Sequence, residues 1–125
     1  MIAAVLAMLV LDLCWINANK HMYASMVQKV QSKAMRVSGV PALLAYVLMI
    51  LGLVWFVLPA AQKDSSKSVV MKALKYGAMF GLITYGIFNA TNAALFSDYS
   101  LRVALVDTLW GMFVYFSAVI LHLVL

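Results

Sequence analysis

Four apolar runs, each long enough to cross a bilayer, take up most of this 125-residue chain. An α-helix rises about 1.5 Å per residue, so about 20 apolar residues cross a hydrocarbon core of about 30 Å. The runs fall at residues 2–19, 40–61, 73–95 and 101–125. Asp12 and Asn17 interrupt the first, several polar residues stand in the third, and Asp107 lies in the fourth. None alternates polar and apolar positions as a barrel strand would. The expectation is an all-α membrane protein, an antiparallel bundle of four transmembrane helices forming one domain over residues 1–125. Composition agrees. With 66% hydrophobic and 10% charged residues, the chain cannot supply the polar shell of a soluble fold. That excludes a water-soluble enzyme, a nucleic-acid-binding domain and a disordered tail.

The connections fit this count. Ser38-Gly39-Val40-Pro41 reads as a helix entry, because proline in the first turn sacrifices no hydrogen bond. Pro59 marks the exit of the second helix or a late kink. Residues 62–67 form a polar loop in which Asp64, Ser65 and Ser66 are candidate N-caps for the third helix. Residues 96–100 are few enough to force the last two helices into a hairpin. Between the first two spans, Met22, Tyr23, Met26, Val27, Val30, Ala34 and Val37 recur at helical spacing opposite a polar, basic side. This predicts an amphipathic helix on the headgroups, or an extension of the first helix. The first run lacks a basic leader and a small-residue cleavage site, so it reads as a retained span.

The net charge of +5 is distributed in short groups beside the spans, where lysines reach for headgroup phosphates. Nucleic acid is not an expected partner; membrane lipids are. Five Lys and Arg (20, 29, 33, 36, 102) fall on one side and four (63, 67, 72, 75) on the other. This near balance sets no orientation.

Depth arithmetic is more informative. A charged residue at the bilayer centre costs about 2.5–3.5 kcal/mol on insertion scales, so each needs a reason. Asp12 lies seven residues before Asn19, and Asp107 six after Leu101, which sets both roughly 10 Å below the same surface. Asn89 and Asn92 on the third helix and Tyr46 on the second fall near that level. Gly77, Gly81, Tyr85, Asn89 and Asn92 share one helical stripe, and the Gly77–Gly81 step allows close helix packing. Asp12 to Trp15 and Asp107 to Trp110 repeat a carboxylate and an indole at i, i+3, on one helical face. Asp12, Trp15, Tyr46, Tyr85, Asn89, Asn92, Asp107 and Trp110 are therefore the candidate buried polar layer. Its alternatives are hydrogen-bonded glue that sets helix register, a pocket for a small polar molecule or lipid headgroup, and a proton or ion relay. No Lys or Arg falls in the layer, which favours a protonated carboxyl or a cationic ligand.

Other candidates are weaker. Cys14 is the single cysteine, so no intrachain disulfide can form. His122 suits the end of the last helix. The methionines are scattered, and no Ser-His-Asp set, HExxH or phosphate-binding loop occurs; no cofactor or metal is expected.

The segments Leu11 to Trp15, Tyr85 to Ala93 and Val106 to Gly111 resemble the uncharacterised four-span predicted membrane proteins of domain-of-unknown-function class 2177. The resemblance implies the same architecture and polar layer, and leaves the activity open. It also implies that relatives carry aspartate where this chain has Asn89, a departure that removes one carboxylate from any proton relay. The leading expectation is a non-enzymatic structural or accessory subunit of a larger membrane assembly. Its partners would be other membrane or capsid-type proteins or further copies of itself; in a large virus, the assembly would be the internal membrane. The rival is a small transporter or lipid-binding protein using Asp12, Asn89, Asn92 and Asp107. A membrane-embedded lipid enzyme comes third.

Overall fold

The computed structural model describes residues 1–65 and 68–125, leaving out Ser66 and Lys67. Among the described residues all regular structure is helical. Five helices follow one another: α1 (Ile2–Ala18), α2 (Lys20–Gln31), α3 (Gly39–Lys63), α4 (residues 69–95) and α5 (Leu101–Val124). Each long helix matches one of the apolar runs to within a few residues.

Helix α5 is the centre of the bundle. Val114, Tyr115, Ala118 and Val119 are buried on it, facing Ala4 and Met8 of α1 and Leu53, Val57, Leu58 and Ala61 of α3. Helix α4 lies antiparallel against α5 at near backbone contact. A methyl group built on Gly77 would meet the Tyr115 carbonyl oxygen at 2.6 Å. One on Gly81 would strike the Gly111 carbonyl, and one on Gly111 the ring of Tyr85. The small-residue step thus packs as its spacing predicts, and Gly111 forms the other half of the contact.

Two helices accommodate a local change of winding. A π-helical turn at Leu53–Val57 stands just before Pro59, whose ring lacks an N–H and would clash with the carbonyl four residues back. The wider turn absorbs that clash, so α3 runs on to Lys63 instead of ending at the proline. A second π turn spans Ala73–Ala78, where Gly77 presses on α5. The Tyr115 hydroxyl donates to the Met49 carbonyl (3.2 Å), fixing α5 to α3 one turn ahead of the first π segment. At the start of α4 the N-cap is Ser68, accepting from the Met71 N–H at 3.3 Å, rather than Asp64 or Ser65. The third cap candidate, Ser66, lies outside the described residues.

The sequence pointed to four membrane crossings. By length and apolar character two helices qualify, Gly39–Lys63 and Leu101–Val124, and a third if α1 and α2 are taken as one broken span. Helix α1 has 17 residues, about 26 Å at 1.5 Å per residue, somewhat less than a hydrocarbon core. Helix α4 is long enough, but Lys72, Lys75, Thr84, Asn89, Thr91 and Asn92 dilute its apolar character. Helix α2 turns away from α1 by 69°. It stops at Gln31, where Ser32 adopts a left-handed conformation (φ 58°), so Ala34 and Val37 continue the apolar stripe only in non-helical chain.

Candidate functional site

The sharp bend at Asn19 is what builds the site. It directs α2 across the end of the bundle, so that Tyr23 and Met26 face inward above the aspartates. The Tyr23 hydroxyl donates to Asp107 Oδ1 at 2.6 Å, joining α2 to α5. Asp107 Oδ2 accepts from Asn89 Nδ2 at 2.7 Å, joining α5 to α4. Asp12 Oδ2 accepts from the Tyr46 hydroxyl (2.7 Å) and Asp12 Oδ1 from Trp110 Nε1 (3.2 Å), joining α1 to α3 and α5. All five helices therefore contribute a side chain to one hydrogen-bonded layer.

The two carboxylate–indole pairs are coupled crosswise. Trp110 serves Asp12 directly, while Trp15 Nε1 donates to the Tyr23 hydroxyl at 2.8 Å, and Tyr23 serves Asp107. The two indoles stack between them, with centroids 4.5 Å apart and planes inclined by 7°. Each indole thus supports the aspartate of the other helix, once directly and once through a phenol. Phenol, indole and amide donors satisfy both carboxylates at short range, and all of these donors are neutral.

Asn89 is buried and is the junction of the layer. Besides Asp107, its amide nitrogen reaches the Tyr85 carbonyl (2.9 Å) and the Thr108 hydroxyl (3.3 Å). Its carbonyl oxygen accepts from the Tyr99 hydroxyl at 2.7 Å. Burial raises the Tyr99 phenol above its ordinary value, which keeps it a donor at neutral pH. Asn92 stands about one turn on and, like Tyr99, lines the cavity described below. Tyr85 departs from the expected arrangement: its ring covers Gly111, and its hydroxyl is directed at the Met49 sulfur at 3.8 Å. Gly77 and Gly81 lie on the opposite side of Tyr85 from the layer and act in packing.

Tyr23, Tyr99 and Thr108 join the layer although the sequence did not single them out. Tyr23 looks like one more apolar position on an amphipathic stripe, and Tyr99 like an interfacial anchor. A tyrosine offers an apolar ring and a polar tip, and only the tertiary fold decides which end is used.

Beside this layer lies a half-open cavity of about 830 Å³. Residues 39–52 of α3 contribute no buried residue, and Ala45, Leu48 and Met49 of that segment form one wall of the cavity. Most of the lining is apolar or aromatic, with Leu48, Met49, Phe80 and Phe88 among its walls and α2 as its roof. Asp12 and Asp107 open onto it, together with Tyr23, Asn92 and Tyr99. Along α4 it reaches from Phe80 to Asn92, twelve residues or roughly 18 Å of helix. Ligand sites in proteins are typically about 300–1,000 Å³, mostly apolar, with a few convergent polar groups. Among the described residues no cluster of His, Cys, Asp and Glu is arranged to hold a metal.

The family model described as "Predicted membrane protein (DUF2177)" aligns with residues 1–123. No curated protein and no solved structure matches the chain.

Proposed function

The chain belongs to this family of membrane proteins, and from that premise we propose that it is a small non-enzymatic binding protein. Its ligand is one amphipathic molecule of the membrane, held between α3 and α4. The observation that carries this reading is the cavity of about 830 Å³ placed against the Asp12–Asp107 layer. Polar groups arranged only to fix helix register would be enclosed by packing on every side. Here they border a space the size of a ligand site, and an apolar tail has about 18 Å of wall to lie along. All of α1, α3, α4 and α5 cross the membrane in this reading. The polar stripe of α4 turns inward, as intramembrane polar residues do, and α2 rests at the headgroups.

The test is native mass spectrometry of the protein extracted gently from its own membrane. A single defined lipid or small amphiphile retained by each chain, and displaced in Ala45→Trp, supports the reading, because Ala45 lines the cavity and a larger ring there fills it. Other protein subunits in fixed ratio, with the cavity empty, would instead support an accessory subunit of a larger assembly.

A further inference from the structure

We infer that the molecule held in this cavity has a positively charged, nitrogen-centred head. The inference rests on the binding role proposed above and specifies its ligand. Two carboxylates, Asp12 and Asp107, face a largely apolar space. The hydrogen bonds they receive come from Tyr46, Trp110, Tyr23 and Asn89, none of which carries a charge. Neutral donors orient a carboxylate without cancelling its charge, and in a low-dielectric setting an uncancelled charge is costly. Among the described residues Lys20 is the one basic side chain that lines the cavity, and it is exposed, with a stem long enough to keep its ammonium in the headgroup water.

The aromatic lining points the same way. Trp15, Tyr23, Tyr85 and Tyr99 all border the cavity at the end nearest the aspartates. Aromatic faces carry partial negative charge, and rings grouped beside carboxylates are suited to ammonium groups. Below them Leu48, Phe80 and Phe88 offer apolar wall for a chain. An anionic head of the same size would gain the apolar contacts and be repelled by both aspartates.

The experiment uses the full-length wild-type protein in a non-ionic detergent, with native mass spectrometry to count bound amphiphile. Three probes share one tail: dodecyltrimethylammonium, dodecylphosphocholine and dodecyl sulfate. The expected result is a preference of about tenfold or more for a head containing ammonium over sulfate. Phosphocholine bound as well as the simple ammonium identifies a zwitterionic lipid as the source; ammonium alone identifies a free amphipathic cation. Asp107→Asn should reduce the preference toward parity. Sulfate bound as tightly as ammonium by the wild-type protein would overturn the cationic head and leave the cavity's binding role standing. Failure of all three probes to bind would overturn both. The comparison among probes needs no variant, so it stands even where Asp107→Asn does not fold.

Discussion

At the scale of single residues, the account makes Asn89 and the glycines of the α4–α5 contact the least replaceable positions. Asn89 donates to Asp107 and accepts from Tyr99, using both ends of its amide. Leucine fills nearly the same volume but satisfies neither partner, and an unpaired buried polar group costs about 1–3 kcal/mol. Asn89→Leu should therefore lower thermal stability in detergent by that order, read by a fluorescence melt. Aspartate at this position could bond Asp107 only with a proton shared between the two carboxyls. Gly81 faces the Gly111 backbone, which has no flexible end to move aside. Gly81→Ala should cost about 1–3 kcal/mol as overpacking, whereas Gly39→Ala meets open space and should change the melt little.

At the scale of helices, the hydrophobic pattern alone located the four long elements, since a run of apolar residues is its own evidence. That Asp12, Tyr46, Asn89 and Asp107 share one level along their helices was equally legible, because helical rise is fixed and converts sequence distance into relative height. The sequence is less legible where a residue can play two parts. Pro59 predicts a kink or an end, yet a π turn at Leu53–Val57 carries the helix through it. Tyr23 could not be assigned to the polar layer without knowing that Asn19 bends the chain by 69°. That bend makes α2 a roof tied down chiefly by one phenol. Tyr23→Phe removes its bonds to Asp107 and Trp15 while keeping the ring. Amide hydrogen exchange along residues 20–31 should speed up by about tenfold or more, with α5 unaffected. Unchanged protection of α2 would show that Met26 and its neighbours hold the roof without the hydrogen bond.

At the scale of the whole molecule, the bundle is tight at one end and open at the other. Core residues gather where α1, α5, α4 and the second half of α3 meet, and the first half of α3 adds no buried residue. Sequence periodicity could not show this difference in burial, because a helix apolar on all sides gives no sign of which neighbour it touches. The proposed four crossings are testable by labelling. In a Cys14→Ala background, Lys33→Cys and Ser97→Cys should react with an impermeant thiol reagent from one face, and Gln62→Cys from the other. Labelling of Ser97→Cys and Gln62→Cys from a common face would show that α4 does not cross.

The central claim is that the open end holds a ligand against the aspartate layer, and an experimental density map of the protein in native lipid tests it most directly. The account predicts elongated density between residues 39–52 of α3 and α4, with its head beside Asp107 and Tyr23 and its tail toward Phe80. A map in which α3 packs onto α4 along its whole length, with Leu48 and Met49 filling the space, would contradict it.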